Sequence, residues 1–371
     1  MTPNLAVMGA GLIGRAHIAR IRAHPKARLT AIIDPSEAGR DVAHACATPW
    51  FPDFATMLAT HRPDGMVIAT PNQLHVEHGL ACVAAGIPAL IEKPIADAAA
   101  AATRLVEAAE AAKIPLLTGH HRRHNPIIAA AKQAIDQGRL GRIITAHTTC
   151  WFHKPEAYFA PAWRRAPGAG PVFINLIHDV DLLRHLCGEV TAVQAITSNA
   201  ARGLAVEDTA VILLRFASGA LGTLTVSDTV SAPWSWEFTA GENPAYTHTP
   251  ELSTMIGGTL GSLSVPRLDL WHHPEAADWF TPLAQARLHV APADPLMRQI
   301  DNFCDVIRGT AAPVVSGREG LRTLEVIVAI HAAASTGTIV SASSGAGRQA
   351  PRPGPGACLP PPDAPGPAGV G

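Results

Sequence analysis

The sequence predicts an α/β fold, with a doubly wound parallel sheet in the first 120 residues or so and an antiparallel sheet in the part that follows. Up to that point short, wholly apolar runs alternate with longer helical patterns, which is typical of parallel strands covered on both faces. Further on, two strand-like runs flank the turn Ala217-Ser218-Gly219, a hairpin signal. The length of 371 residues suits two domains of ordinary size.

The elements of the first part follow from this alternation. The predicted strands are Leu5–Met8, Leu29–Ile33, Met66–Ala69, Ile87–Ile91 and Pro115–Thr118. The predicted helices between them are Leu12–Ala23, Leu74–Ala85 and Asp97–Ala112. Because crossovers between parallel strands are right-handed, these elements form a doubly wound Rossmann-type sheet.

The second part mixes helices with alternating strands. The predicted helices are Pro126–Gln137, Val172–Leu186, Pro295–Arg308 and Arg318–Ala334. The predicted strands are Arg142–Thr149, Val190–Thr197, Thr209–Phe216 and Ala220–Ser227. From residue 341 to 371, 15 of 31 residues are Gly or Pro, so we expect a disordered tail there. The predicted units are therefore 1–121, 122–340 and 341–371.

Composition excludes several classes of protein. Hydrophobic residues make up 47% and charged residues 16%, which is too apolar for a disordered chain. A net charge of −1 provides no general basic field for nucleic acid or an anionic membrane. The six cysteines are scattered without a CxxC pair, and we find neither a secretory signal nor a membrane-spanning apolar run. We therefore expect a cytoplasmic protein that binds neither nucleic acid nor membrane.

A glycine-rich turn, Gly9-Ala10-Gly11-Leu12-Ile13-Gly14, lies between the first strand and the first helix. In the dinucleotide fingerprint the first glycine allows a tight turn, the second lets backbone approach a pyrophosphate, and the third lets helix pack on strand. The helix N-terminus then offers free N–H groups to the phosphates. The turn predicts a dinucleotide site.

Asp34 ends the second strand twenty positions after Gly14, where the fingerprint has its acidic residue. We expect it to accept hydrogen bonds from the adenosine ribose, which favours NAD over NADP because its charge repels a 2′-phosphate. The alternative is a turn or helix-capping residue before Pro35.

Lys93 and His178 are the candidate catalytic residues. Lys93 follows the strand Ile87–Ile91, at the sheet edge where ligands bind, and burial can lower the pKa of such a lysine. His178 lies among apolar residues and can exchange the proton of a substrate hydroxyl. The alternatives are a solvated loop lysine and a core histidine that is hydrogen-bonded within the protein.

Two further clusters contain cationic and aromatic groups. The run from His120 to His124 includes Arg122, and it suits a polar or anionic substrate better than a metal, since no third ligand has metal-site spacing. The run from Tyr158 to Arg165 includes Trp163, and it suits one wall of a substrate pocket. A solvated or sheet-packed loop is the alternative for each, and we expect no metal.

Four motifs together resemble the Gfo/Idh/MocA oxidoreductases, over about residues 4–335. They are GAGLIGRAH (Gly9–His17), Thr70-Pro71-Asn72 with His75, Glu92-Lys93-Pro94, and the segment from Gly168 that ends in HDVDLLRHL at Leu186. The resemblance implies a Rossmann domain followed by an α/β domain whose open, mostly antiparallel sheet often makes an oligomer contact. It therefore also implies a homodimer or homotetramer.

The resemblance also assigns residues to roles. It implies that Lys93 and His178 act on the substrate hydroxyl, and that Thr70, Asn72, His75 and Glu92 lie with Gly9–Gly14 at the cofactor. It places the pair Trp163-Arg164 near the nicotinamide and substrate. Many members of the family carry an acidic residue four positions before the histidine, and here that position is Ile174. Asn175 or Asp179 then takes over part of its role, or the site works without that carboxylate.

The expected function is an NAD-dependent oxidation of a secondary alcohol in a small polyhydroxylated molecule, such as a sugar or inositol. One alternative keeps this chemistry on a cyclic dihydrodiol, an anhydro sugar or a semialdehyde. Another, from a different class, is a dinucleotide-binding regulator without turnover, which the loss of the acidic residue at Ile174 would suit.

Overall fold

A computed structural model describes residues 2–166 and 168–342. Within them lie two sheets, one of six strands and one of nine, with helices packed on both. Most of the predicted tail, residues 343–371, lies outside the described residues. Ser341, its first residue, forms part of a short strand, Val340–Ser341, that pairs with the second sheet.

The six-stranded sheet is wholly parallel and has the strand order β3-β2-β1-β4-β5-β6, as the prediction of a Rossmann-type sheet requires. Its strands are β1 (Asn4–Met8), β2 (Arg28–Ile33), β3 (Trp50–Phe51), β4 (Gly65–Ile68), β5 (Ala89–Ile91) and β6 (Leu116–Thr118). Its helices are α1 (Leu12–Ala23), α2 (Glu37–Ala45), α3 (Phe54–Thr60), α4 (His75–Ala84) and α5 (Ala99–Ala112). The sequence did not predict α2, α3 and β3, which are short.

Side-chain caps explain where several helices begin. Ser36 and Asp53 accept hydrogen bonds from the backbone N–H groups of Gly39 and Thr56, in the first turns of α2 and α3. Each cap binds an N–H that has no partner within the helix. These two caps, rather than a long apolar pattern, are the signal that marks α2 and α3 in the sequence.

The second sheet has the strand order β14-β13-β12-β11-β7-β10-β9-β8-β15, and only the β7–β10 pair is parallel. Its strands are β7 (Ile143–Trp151), β8 (Val190–Ser198), β9 (Thr209–Phe216), β10 (Leu221–Ser227), β11 (Thr254–Gly258), β12 (Gly261–Val265), β13 (Asp269–His272), β14 (Ala284–Arg287) and β15 (Val340–Ser341). The predicted hairpin is confirmed as the antiparallel β9–β10 pair, and Gly219 adopts a φ of 87° in its turn. The sequence did not predict strands β11 to β14.

Five helices accompany the second part of the chain. They are α6 (Pro126–Asp136), α7 (Ile177–Cys187), α8 (Trp236–Thr239), α9 (Pro295–Ile307) and α10 (Gly317–Thr336). The predicted helix over Val172–Leu186 begins as a π-helix at Val172–Leu176 and becomes α-helical only from Ile177. Such wide turns occur frequently at functional sites.

The last two helices pack on the first sheet, although they belong to the unit predicted as 122–340. Phe303 and Ile300 of α9 lie in one core with Leu5 and Val7 of β1. In α10, Gly320 allows close contact with Thr118 of β6, where a Cβ atom would collide with the threonine side chain. The chain thus returns to its first sheet, and the two sheets are joined by more than the connection near residue 121.

A buried ionic network fixes α7 against its neighbours. Arg123 donates to Asp181 at 2.8 and 2.7 Å and to Glu319 of α10 at 3.1 Å. Thr323 also donates to Asp181, at 3.0 Å. Burial alone would raise the pKa of Asp181, but His120 and Arg123 outweigh burial and lower it to about 2. These contacts hold the start of α7, where His178 lies, in a fixed position.

Among residues 2–166 and 168–342, the helices are too short or too polar to cross a membrane.

Candidate active site

The carboxyl ends of four neighbouring strands place the predicted residues of the first part along one edge of the sheet. Gly9 follows β1, Thr70 follows β4, Glu92 and Lys93 follow β5, and His120 follows β6. In parallel sheets this edge is where ligands bind. The π-helix and the start of α7 reach the same edge from the second part, because the Nζ atom of Lys93 donates to the carbonyl oxygen of Ile174 at 3.1 Å.

The three glycines of the turn have different surroundings. Gly9 adopts a φ of 95°, and a Cβ there would collide with the backbone of Ala69. A Cβ at Gly14 would collide with the carbonyl oxygen of Gly9. At Gly11 a Cβ would meet no atom within 4 Å, so this residue borders open space. The turn therefore presents bare backbone at Gly11 and close packing at the other two glycines.

Helix α1 begins in a way that suits a phosphate. Gly11 is its capping residue, no side chain caps it, and no acidic residue lies in its first turn. Leu12 in that first turn is 94% exposed, while Ile13 is partly buried. The first N–H groups thus lack an anionic side chain, and the partial positive charge of the helix faces the open space beside Gly11. These residues fit a dinucleotide pyrophosphate.

Asp34 forms the contacts of a turn residue. Its Oδ1 accepts from the backbone N–H and the hydroxyl of Ser36, at 2.9 and 2.5 Å, and its Oδ2 accepts from the N–H of Ala10 at 2.7 Å. Burial by itself would raise the pKa of Asp34, but these hydrogen bonds and Arg15 lower it. The side chain thus ties the glycine turn to the end of β2 and stays anionic, beside the place where a ribose is expected.

Two residues expected at the cofactor have their polar atoms bound within the protein. The ring nitrogens of His75 lie 2.8 and 2.9 Å from the carbonyl oxygens of Pro94 and Thr70. The carboxylate of Glu92 binds His17 of α1 at 2.7 Å and the N–H of Lys93 at 3.1 Å. These contacts favour a positioning function: His75 connects the loops after β4 and β5, and Glu92 connects the loop after β5 to helix α1. Asn72 begins a short 3₁₀ turn in the same region.

Burial destabilises the charged form of Lys93. Burial lowers its pKa to about 8, and the charges of Arg122 and Lys154 act in the same direction. At neutral pH most of these side chains still carry a proton. One N–H of the ammonium group is bonded to Ile174, so two remain available to a ligand oxygen.

Ile174, which replaces the family's acidic residue, therefore contributes its backbone. Its carbonyl oxygen is the acceptor for Lys93 in the described part of the chain. Neither alternative residue makes that contact: Asp179 pairs with Arg122 instead, and the Oδ1 atom of Asn175 is buried without a hydrogen-bond partner. A carbonyl dipole thus holds the lysine at the position where the family resemblance implied a carboxylate.

His178 lies next to this contact, on the first turn of α7. Burial lowers its pKa well below the usual 6.5, and the charges of Lys93 and Arg122 lower it further. Its Nδ1 atom is buried without a hydrogen-bond partner among the described residues. The ring packs edge-on against His120 and His121, with centroids 6.1 and 5.3 Å away. His178 is therefore an uncharged imidazole at neutral pH, which is the form that a proton acceptor needs.

Arg122 forms ion pairs with two carboxylates. It lies 2.7 Å from Glu237 and 3.3 Å from Asp179, with its guanidinium over the ring of Trp236. This favours positioning over the direct substrate contact expected from the sequence. Burial raises the pKa of Asp179 to about 7, against the effect of Arg122. One oxygen each of Asp179 and Glu237 remains buried without a partner.

Trp163 and Arg164 lie on a short 3₁₀ turn, Ala162–Arg165. Trp163 is 56% exposed. The guanidinium of Arg164 donates to the carbonyl oxygen of Tyr158 at 2.7 Å and lies 4.1 Å above the Tyr158 ring. Their predicted contact with the nicotinamide stays a prediction.

The sequence interpretation missed three residues of this region: Lys154, Glu237 and His17. Lys154 had a usable signal, because it is one of only five lysines and follows strand β7. Glu237 had none, since α8 is a single turn in an irregular segment. For the histidine run from 120 to 124, no group of three potential ligands converges into a metal site within the described ranges.

The arrangement brings together a neutral imidazole, an ammonium group with a lowered pKa and several buried polar atoms without hydrogen-bond partners. Burying such atoms is costly unless they gain hydrogen bonds. A ligand with several hydroxyl groups supplies both donors and acceptors for them. The site is therefore suited to bind a polyhydroxylated molecule and to move the proton of one hydroxyl.

Comparison with known proteins gives matches over both parts of the chain. Residues 4–120 match the profile described as "Oxidoreductase family, NAD-binding Rossmann fold", and residues 128–264 match the GFO/IDH/MocA C-terminal domain. The inositol 2-dehydrogenase 2 of Saccharopolyspora erythraea is 32% identical over 228 residues, which are 60% of this chain and 65% of that protein. The chain thus spans slightly less than two thirds of that relative's length.

Two further comparisons cover more of the chain. The 1,5-anhydro-D-fructose reductase of Ensifer adhaerens is 31% identical over 76% of this chain and 80% of that protein. The crystal structure of the WlbA dehydrogenase from Bordetella pertussis, in complex with NADH and UDP-GlcNAcA, is 28% identical with a TM-score of 0.75. It covers 92% of this chain and 99% of that one.

The glycine turn yields a test that separates ligand contact from packing. We expect Gly11→Ala to leave the melting temperature unchanged and to weaken NAD binding about tenfold or more, because its methyl group enters the open space beside the helix terminus. We expect Gly14→Ala to lower the melting temperature, because its Cβ collides with Gly9. Fluorescence titration with NADH and thermal unfolding measure both effects. If Gly11→Ala binds NADH as tightly as the wild type, the assignment of the phosphate site is wrong.

Proposed function

The chain belongs to the Gfo/Idh/MocA family of NAD-binding oxidoreductases, and from this premise we propose that it oxidises a secondary alcohol of a small polyhydroxylated substrate, or reduces the corresponding carbonyl. NAD supplies the hydride acceptor in this reaction. Lys93 binds and stabilises the substrate oxygen as its negative charge develops, and His178 accepts the hydroxyl proton.

A single observation carries this proposal: an ammonium group and a neutral imidazole meet at the contact of the two parts of the chain. Lys93 binds the carbonyl of Ile174, four residues before His178, and its charge lowers the pKa of His178. The two side chains have complementary abilities, since one donates to an oxygen and the other accepts a proton. Lys93 follows β5 at the sheet edge that also holds the glycine turn, and its bond to Ile174 links this edge to the segment that precedes His178.

The turn holds NAD through its backbone, with Gly9, Gly11 and Gly14 shaping the path and the start of α1 facing the phosphates. Asp34 keeps a negative charge beside the expected ribose, which favours NAD over NADP. Thr70 and Asn72, in the loop after β4, would lie along the cofactor, while His75 and Glu92 fix the loops.

The substrate class is proposed from the unpartnered polar atoms of Asn175, His178, Asp179 and Glu237, which suit a sugar or an inositol. An anhydro sugar is the second candidate, favoured by the similarity to a protein named for 1,5-anhydro-D-fructose reduction. A regulator without turnover would need neither the lowered pKa of Lys93 nor a neutral imidazole beside it.

The exposed face of the second sheet supports the proposed homo-oligomer. The register of β8 to β13 places large exposed apolar side chains on one face of this sheet: Ile196, Val211, Leu213, Leu221, Met255 and Trp271. Ile196 pairs with Val211, and Leu213 is the next residue of β9 on that face, so these three form a contiguous exposed apolar group, which is typical of interaction sites. We propose that a second copy of the chain covers them.

A cytoplasmic location is also proposed. The five described cysteines are free thiols, which suits a reducing compartment. Recovery of the native chain from a secreted fraction would contradict it.

The proposed roles of Lys93 and His178 predict a loss of turnover without a loss of cofactor binding. Lys93→Met and His178→Ala should each lower kcat by about a hundredfold or more, as expected when a general acid or base is removed. NADH affinity, measured by fluorescence titration, should stay near the wild-type value in both. Circular dichroism checks that the variants fold. Wild-type kcat in both folded variants would rule out these roles.

The lowered pKa of Lys93 predicts the alkaline limb of the pH profile. Since the ammonium form is required, kcat/KM for alcohol oxidation should fall as the pH rises through about 8. His178 stays neutral down to its strongly lowered pKa, so it should cause no loss between about pH 7 and 8. Lys93→Arg keeps a positive charge at high pH. Its kcat/KM should be lower than that of the wild type but should not fall near pH 8. An unchanged limb in Lys93→Arg would assign it to another group.

The proposed oligomer contact predicts a specific dissociation. Leu213→Glu introduces a charge in the middle of the apolar face, so it should shift the wild-type dimer or tetramer to monomer in light scattering after size exclusion. Val328→Glu, at an exposed position of α10, is the matched control and should keep the wild-type mass. A monomeric wild type, or a Leu213→Glu variant with wild-type mass, would contradict the proposal.

A further inference from the structure

A second imidazole lies directly beside His178 and has a carboxylate partner. The ring of His121 packs edge-on against the ring of His178, with centroids 5.3 Å apart. The Nε2 atom of His121 lies 2.8 Å from Oε1 of Glu242. Glu242 also accepts hydrogen bonds from the side chain of Asn125 at 2.9 Å and from the indole N–H of Trp236 at 3.2 Å. The mechanism proposed above uses neither His121 nor Glu242.

The carboxylate of Glu242 fixes the tautomer of His121. Burial alone would raise the pKa of Glu242, but its hydrogen bond with His121 and the charge of Arg122 lower it to about 2. Because an ionised carboxylate only accepts hydrogen bonds, Nε2 of His121 carries a hydrogen atom. The lone pair of the neutral ring is then on Nδ1, which has no hydrogen-bond partner among the described residues. His121 can therefore take up a proton at Nδ1 while Nε2 stays bonded to Glu242.

A positive charge is more stable on His121 than on His178. Burial and the charges of Lys93 and Arg122 lower the pKa of His178. Asp179, the next residue along α7, pairs with Arg122 and not with this imidazole. A hydrogen-bonded carboxylate stabilises an imidazolium at His121, by contrast. The free energy therefore falls when a proton moves from His178 to His121.

His121 also lies closer to solvent than the other imidazole beside His178. Of the side chains of His121 and Glu242, 20% and 14% are exposed. His120 is only 1% exposed, and its ring centroid is 6.1 Å from that of His178. Both ring nitrogens of His120 are buried without a hydrogen-bond partner within the described ranges. A proton on His120 would remain inside the protein, so the path to solvent leads through His121.

We propose that His121 and Glu242 form a proton relay that returns His178 to its neutral form after each oxidation. The substrate hydroxyl proton passes to His178, then through one bridging water to Nδ1 of His121, and from there to solvent. An N–H bond forms on His121 as the one on His178 breaks, and no electrons are gained or lost by either ring. His121 thus acts through His178, and the oxidation step itself is unchanged.

This inference rests on the proposed function, and its test separates the first turnover from later ones. myo-Inositol, D-glucose and D-galactose are screened by NADH formation, and the fastest of them is the probe. In stopped-flow mixing, His121→Asn should complete its first turnover within about threefold of the wild-type rate, because His178 is still neutral at the start. Its steady-state kcat should fall about tenfold or more, since the relay is then needed. NADH affinity should not change.

Imidazole added to the buffer tests the relay directly. It takes the proton from His178 in place of the missing ring, so it should raise kcat of His121→Ala about fivefold or more and leave the wild type unchanged. Glu242→Gln keeps the shape of the side chain and removes its charge, so it should lower kcat and keep a fast first turnover. His289→Asn, at an exposed histidine after strand β14, is the matched control and should match wild type.

The outcomes separate the two proposals. Wild-type kcat in His121→Asn, or a first turnover slowed as much as kcat, would overturn the relay and leave the oxidoreductase proposal intact. The same conclusion follows if imidazole leaves kcat of His121→Ala unchanged while circular dichroism shows that this variant is folded. If none of the probes is oxidised while NADH binds, the proposed function fails, and the relay fails with it because no substrate proton is transferred.

Discussion

The hydrogen bond from Lys93 to the carbonyl of Ile174 is the contact on which the site depends. It joins the end of a parallel strand in one sheet to the helical segment that carries His178. The lysine would be costly to bury in the first part of the chain alone, and the imidazole would have no ammonium neighbour in the second part alone. Joining the two parts brings a proton acceptor and a cationic donor to one place.

Much of the surrounding structure holds this hydrogen bond in place. Glu92 is bound by His17 and by the N–H of Lys93, so the loop that carries the lysine is fixed to helix α1. On the other side, Arg123 and Asp181 hold helix α7 against α10. Buried ion pairs of this kind contribute little net stability, but breaking one is costly. Their effect here is geometric, since they leave few arrangements open to Lys93 and His178.

The replacement of an acidic residue by Ile174 illustrates how a backbone group can serve in place of a side chain. A carboxylate beside Lys93 would raise its pKa, whereas a carbonyl dipole holds the ammonium group and adds no full charge. Burial lowers the pKa of Lys93 to about 8, although the adjacent carboxylate of Glu92 acts against it. The carboxylates of Asp179 and Glu237 pair with Arg122.

The sequence by itself determined the parallel sheet and the glycine turn, because these depend on local patterns of apolar residues and on short motifs. Short motifs also singled out Lys93 and His178 as the candidate pair. Strands β11 to β14, at one end of the second sheet, and the short helix α8 were not predicted, since brief segments with Gly and polar residues carry little periodicity. Only the tertiary structure decided which polar groups are paired with each charged side chain. Arg122 and Glu237 are 115 positions apart, and Lys93 and Ile174 are 81 apart. Such partners are chosen by the packing of whole elements, and burial then sets the pKa values on which the proposed chemistry depends.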